Sequence, residues 1–136
     1  MDVLYTAEAT ATGRDGRAVT SDGKLEFTLA FPKAMGGTGE GTNPEQLFAS
    51  GWAACFASAV GLAGKEVKAN TRDVAVTAEV GIGPEGESFG LTVTLRVTLP
   101  AVPDKEAARR LVERAHQLCP YSKATRGNIP VQLIVE

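Results

Sequence analysis

The chain has 136 residues, 43% apolar and 22% charged, a length and balance that suit one folded globule and argue against a disordered chain. With 14 basic and 16 acidic residues the net charge is -2, so no cationic surplus exists to neutralise a phosphate backbone, and 6% aromatics make a poor base-stacking platform. Nucleic acid is therefore set aside, and two cysteines, Cys55 and Cys119, are too few for a disulfide scaffold or a four-thiolate zinc site.

The two thiols are either inert and buried or a redox pair. Met1-Asp2-Val3-Leu4-Tyr5 has no cationic stretch leading into an apolar run, so no signal peptide is expected. The weakly polar run at residues 47–63 falls short of a spanning helix and lacks charged anchors at both ends. A soluble, cytoplasmic protein with no membrane partner is expected. In that reducing compartment a cysteine pair is more often catalytic than structural.

The first third alternates with period two. Tyr5, Ala7, Ala9 and Ala11 share one face, Gly13-Arg14-Asp15-Gly16 and Ser21-Asp22-Gly23 signal turns, and Leu25, Phe27, Leu29 and Phe31 alternate again. Two or three antiparallel strands are predicted. Residues 32–42 are glycine-rich but lack Gly-Lys-Ser/Thr and the GxGxxG spacing, so they read as a flexible loop and not a phosphate cradle. Asn43 as N-cap, Pro44 at the first helical position and Gln46 in capping-box register start a helix. From Leu47 onward that helix has no polar face, so it is expected to be covered on all sides.

Val74, Val76, Ala78, Val80 and Ile82 then alternate, Gly83-Pro84-Glu85-Gly86 turns, and Phe89, Leu91, Val93, Leu95, Val97 and Leu99 alternate back. Asp104 caps an amphipathic helix with a stripe of Ala108, Leu111, Val112, Ala115, Leu118 and Cys119, which Pro120 stops. Ile129, Val131, Leu133 and Val135 form a last strand. The order predicts an α+β fold with antiparallel pairing and a single domain over residues 1–136. One sheet covers only one side of an apolar helix. Either a strongly curved sheet wraps it or a second subunit does, and an intimate homodimer is expected.

Cys55 lies in the middle of the apolar helix, with Phe48, Trp52, Ala59 and Leu62 at helical spacings on roughly the same face. A core cysteine is the plain reading. An apolar site raises a thiol's pKa, and the helix N-terminus is about three turns away, so a reactive Cys55 needs a cation from elsewhere in the chain. Cys119 ends its helix beside a chain break, where it either packs inward or moves. The lone His116 leaves no conventional metal set and no ordinary Cys-His protease chemistry, and it reads as a helix-surface residue.

Four segments carry a family resemblance. TNPEQLFASGWAACF at residues 42–56 and CPYSKATRGN at 119–128 resemble the two signature blocks of the organic hydroperoxide resistance family, within the OsmC-like superfamily. ATGRDGRAVTSDG at 11–23 and VGIGPEGESFGL at 80–91 resemble its two hairpins, so the likeness runs through essentially the whole chain in order. Lys123 stands where an asparagine is expected in the second block.

The resemblance implies a thiol-dependent peroxidase on an intertwined homodimer, with a curved antiparallel sheet wrapped around a buried central helix. It implies that Cys55 is the peroxidatic thiol, forming a sulfenate, and that Cys119 is the resolving one, closing a Cys55–Cys119 disulfide. It implies that Arg14 is the active-site arginine, paired with Glu45, and that an external dithiol is the reductant, dihydrolipoamide or a lipoylated protein, with no bound cofactor or metal. Arg14 supplies the missing cation, although Arg17 three residues on competes for that role. Glu45 and Cys55 lie ten residues apart, about 15 Å along a straight helix. One site holds both only if the helix breaks near Ser50-Gly51 or if a partner chain contributes one of them. The apolar surroundings of Phe48, Trp52 and Leu62 suit an alkyl tail, which favours organic and fatty-acid hydroperoxides. Two other readings stand beside this one: a redox-sensing or apolar-ligand-binding protein without turnover, and a structural domain with two inert cysteines.

Overall fold

In the computed structural model, which describes residues 1–136, the chain gathers into two compact units, Met1–Leu47 and Phe48–Glu136. The first holds three short antiparallel strands, β1 (Ala9–Ala11), β2 (Arg17–Thr20) and β3 (Glu26–Thr28), in the order β1-β2-β3. Pairing begins only at Ala9, so the expected start near Tyr5 is not realised, and Val3, Leu4 and Tyr5 stay exposed outside the ladder. In the β1–β2 turn Gly13 takes a φ of 127°, and a Cβ on Gly16 would collide with Thr12 Oγ1, so the turn needs both glycines.

The glycine-rich segment is not the flexible loop that its composition suggests. It makes a 3₁₀ turn at Lys33–Met35 and is sewn back onto β3, Thr42 N–H donating to Thr28 O at 3.0 Å and Ala30 N–H to Thr42 O at 2.9 Å. Side chains at Gly37 and Gly41 would strike the backbone of Phe31 and of Thr28–Ala30. These glycines serve close backbone approach.

Helix α1 (Pro44–Glu66) begins as its capping residues predict: Asn43 Oδ1 accepts from Gln46 N–H at 2.9 Å. The second unit adds β4 (Ala75–Glu85), β5 (Ser88–Thr98), α2 (Lys105–Leu118), α3 (Pro120–Thr125) and β6 (Val131–Val135), with sheet order β4-β5-β6. The hairpin turn falls at Gly86-Glu87, not at residues 83–86, because the ladder runs on through Gly83↔Gly90 and Pro84↔Phe89. Pro84 is tolerated there since β4 is an edge strand and its missing N–H is not needed. The prediction of wholly antiparallel pairing also needs correction: β5 and β6 are parallel, because α2 and α3 form a crossover between them. The α+β class stands, as two three-stranded sheets, with α1 packed in the core of the second unit.

The core lies in the second unit. Trp52, Phe56, Ala59, Val60 and Ala63 of α1 meet Val93, Leu95 and Val97 of β5 and Ala108, Leu111, Val112 and Ala115 of α2. Each large side chain buried there contributes about 1.5–3 kcal/mol. Arg114 of α2 forks onto Glu66 at the end of α1, at 2.8 and 2.9 Å.

Within one chain α1 is not covered on all sides. Its buried residues make one face, while Leu47, Ala54, Ser58 and Leu62 are exposed on the other. The helix is also longer than its apolar run, 23 residues, because the capping segment adds a turn before Leu47. By length and composition it is long and apolar enough to cross a membrane, contrary to the sequence-based expectation, with a third of that stretch buried inside the chain.

Candidate active site

The two cysteines, 64 positions apart in sequence, meet. Cys119 Sγ lies 3.5 Å from Cys55 Sγ, both thiols free, Cys55 half-buried and Cys119 fully buried. Helical geometry explains the exposure of Cys55. At 100° per residue it falls between the core face of Trp52, Phe56 and Ala59 and the open face of Ala54, Ser58 and Leu62. Its sulfur is thus on the seam, reachable from one side and walled on the other.

Cys119 occupies a joint. Pro120 ends α2 as predicted, Cys119 before it taking an extended ψ of 123°, and it also opens α3 at the first position, where its missing N–H costs nothing. Cys119 is therefore both the C-cap of α2, its N–H donating to Ala115 O at 2.8 Å, and the N-cap of α3, its carbonyl accepting from Lys123 N–H at 2.9 Å. Thr125 Oγ1 donates to Tyr121 O at 2.8 Å, and the exposed Arg126 donates to His116 O at 2.7 Å, tying the segment after the joint back to α2.

Burial pushes the Cys55 thiol up from its ordinary value, and its contact with Cys119 adds to that rise; the Tyr121 N–H pulls the other way. None of the groups acting on it is a cation. Left to these neighbours alone, Cys55 stays a thiol at neutral pH.

The predicted arginine and glutamate are brought together in the first unit. Arg14 Nη1 donates to Glu45 Oε2 at 2.9 Å and Nη2 to Oε1 at 2.7 Å, the two-pronged geometry that suits guanidinium and carboxylate. Glu45 is the more buried partner, 13% exposed against 35% for Arg14. The Arg14 hydrogen bonds hold the Glu45 carboxyl below its usual range against the opposing effect of burial, and Glu45 raises Arg14 in turn. Arg17, the competitor, pairs instead with Glu26 on the neighbouring strand. Helix α1 runs unbroken through Ser50 and Gly51, so no break brings Glu45 toward Cys55.

The three apolar residues expected around the substrate differ in placement. Phe48 is half-buried and Leu62 is 54% exposed, but Trp52 is completely buried and offers no surface to a ligand. Trp52 lies edge-on to Phe48 at 5.5 Å, and its Nε1–H donates to Ser122 Oγ at 3.3 Å. Tyr121, in contrast, is 40% exposed. It lies 6.2 Å from Phe48 and close over Gly51, whose Cβ would come 3.2 Å from the Tyr121 hydroxyl.

Sequence reasoning assigned no role to Tyr121 or Ser122, although both follow Cys119-Pro120 in the signature block. His116 also departs from expectation. It is half-buried with Nδ1 unpartnered, 6.4 Å from the Phe56 ring, and burial, reinforced by the Arg126 charge, pushes its pKa down. The sequence reads it as a helix-surface residue, but the structure packs it part-buried beside Phe56.

Known proteins share this arrangement of elements. The family described as OsmC-like protein matches residues 37–134. The organic hydroperoxide resistance protein of Xanthomonas axonopodis pv. citri is 52% identical over 134 residues, 96% of this chain and 94% of the relative. Two solved structures superpose closely. The organic hydroperoxide resistance protein from Elizabethkingia anophelis gives a TM-score of 0.93 at 50% identity, covering 100% of this chain and 99% of that one. The protein OhrB of Bacillus subtilis gives 0.89 at 42% identity, covering 98% and 100%. The chain belongs to the OsmC-like family, in the branch of the organic hydroperoxide resistance proteins.

Proposed function

We propose that the chain is a cysteine-based peroxidase that reduces organic hydroperoxides to alcohols in defence against oxidative stress. The observation that carries this reading is the approach of two free thiols to 3.5 Å at a seam where one of them can be reached. The names of the relatives point to the same substrate class.

The cycle has three steps. The Cys55 thiolate attacks the distal oxygen of ROOH, the O–O bond breaks, and RO⁻ leaves and takes up a proton from solvent as ROH, giving Cys55–SOH. The Cys119 thiol attacks that sulfur and expels water, closing the Cys55–Cys119 disulfide. An external dithiol, for which dihydrolipoamide or a lipoylated protein is suited, then takes the oxidation and restores both thiols. Arg14, oriented by Glu45, stabilises the thiolate and the oxygen on which negative charge develops. With α1 unbroken, this pair serves Cys55 from the other protomer of a homodimer, whose interface covers the open face of α1. Phe48, Tyr121 and Leu62 offer the apolar surface for an alkyl tail, with the buried Trp52 edge-on to Phe48. The apolar α1 is then a dimer-core helix, and the protein works in the cytoplasm.

Steady turnover of an alkyl hydroperoxide with a dithiol tests the reading. Cys55→Ser is expected to abolish it. Oxidation of the pair without turnover would place the protein instead among redox sensors, and a Cys55 that alkylates no faster than an unfolded thiol would leave the site inert.

A further inference from the structure

We propose that Ser122 is a positioning residue for disulfide closure: its bond to Trp52 sets the spacing at which Cys119 meets Cys55. The inference rests on the redox reading above. Trp52 and Cys55 are three residues apart on α1, one turn along the same side. Cys119 and Ser122 are also three apart, and the bond from Lys123 N–H to Cys119 O fixes the turn between them. The two segments are therefore joined by two parallel rungs, Trp52 Nε1–Ser122 Oγ at 3.3 Å and Cys55 Sγ–Cys119 Sγ at 3.5 Å.

The first rung is dry. Trp52 and Ser122 are both 0% exposed, so the indole N–H, which can only donate, has no water in place of the serine. A phenylalanine or leucine at this core position has no N–H to donate to α3. The bond explains why an indole stands one turn before the cysteine and a hydroxyl one turn after the other. It also restricts how α3 can rotate about the Cys119 joint. Closure requires attack of one sulfur along a narrow direction, and a misplacement of about 1 Å costs up to ~100-fold in such a step.

The test uses the whole chain with an excess of tert-butyl hydroperoxide and no dithiol, following the rate of peroxide consumption, disulfide formation and sulfinic acid by mass. Ser122→Ala is expected to leave peroxide consumption within about twofold of wild type while slowing closure about tenfold or more, with sulfinic acid accumulating. Ser122→Thr, which keeps the hydroxyl, is expected to restore closure. Wild-type closure in Ser122→Ala overturns the proposal. A wild-type protein that forms no Cys55–Cys119 disulfide overturns the redox reading beneath it, a different result. If Ser122→Ala does not fold, the unaltered protein still decides. Its single tryptophan gives one indole N–H signal, expected to be protected from hydrogen exchange in the reduced state, and free exchange there overturns the proposal.

Discussion

Cys119 Sγ stands 3.5 Å from Cys55 Sγ, inside contact distance and outside the ~2.05 Å of a bond, so the pair is poised and unjoined. Removing the buried partner separates the two halves of the cycle. Cys119→Ser is expected to consume one equivalent of hydroperoxide and stop at the sulfenic acid on Cys55, a second equivalent being consumed only where excess hydroperoxide carries it to sulfinic acid. Continued cycling of this variant with dithiol, followed by peroxide loss, would remove the resolving role.

Arg14 tests the source of the missing charge. Arg14→Lys keeps a positive charge but loses the fork that meets Glu45 at 2.7 and 2.9 Å. The rate with hydroperoxide is expected to fall about 100-fold, the usual loss for one donor to a developing charge. The protein raises the Cys55 pKa by burial, so a weaker cation moves the pH–rate midpoint upward: the variant gains rate with pH where the wild type has levelled off. An unchanged profile would show that Arg14 does not act on the thiol.

Glu45 gives a stability signature. Its folded-state pKa lies below the unfolded value, so its contribution is present above about pH 4.3 and is lost as pH falls through the lower folded value. Glu45→Gln is expected to cost about 1 kcal/mol at neutral pH, a modest figure because Arg14 is 35% exposed and screened. The gap between variant and wild type should close in acid, as read by denaturant titration across pH.

His116 acts nearer neutrality. Burial lowers its folded pKa, so the unfolded chain binds the proton first and stability falls as pH drops below about 6.5. His116→Gln removes that slope. The check is the thermal midpoint between pH 7.5 and 5 for both proteins. A parallel fall would assign the slope to other groups.

Leu62 is 54% exposed on the open face of α1, an arrangement that suits a subunit interface better than solvent. Leu62→Glu is expected to shift the protein from dimer to monomer in sedimentation and to cost activity with it. A wild-type monomer in the same experiment would refute the shared site.

The elements were legible because their signals are local: Asn43 and Asp104 cap helices where the sequence places them, and alternation finds β4, β5 and β6. What was hidden depends on neighbours. Nothing local distinguishes a crossover that makes β6 parallel to β5, or a Pro84 that pairs at an edge from one that turns. The cysteine pair and the Arg14–Glu45 pair were reached through resemblance, since contacts 64 and 31 residues apart leave no mark on periodicity. Ser122 and Tyr121 were passed over because a hydroxyl and a ring beside a cysteine look like filler until α3 turns them toward α1.

The double role of Cys119 in capping α2 and α3 has a mechanical consequence. Its N–H and carbonyl are both held by backbone bonds, at 2.8 and 2.9 Å, while only its side chain needs to travel the remaining ~1.5 Å to bond with Cys55. A rotamer change on a fixed backbone is fast and leaves no helix to rebuild. In the proposed cycle reduction would reset the thiol as a released latch returns to its stop, and the waiting time is expected to fall on the arrival of the dithiol and not on recovery of the fold.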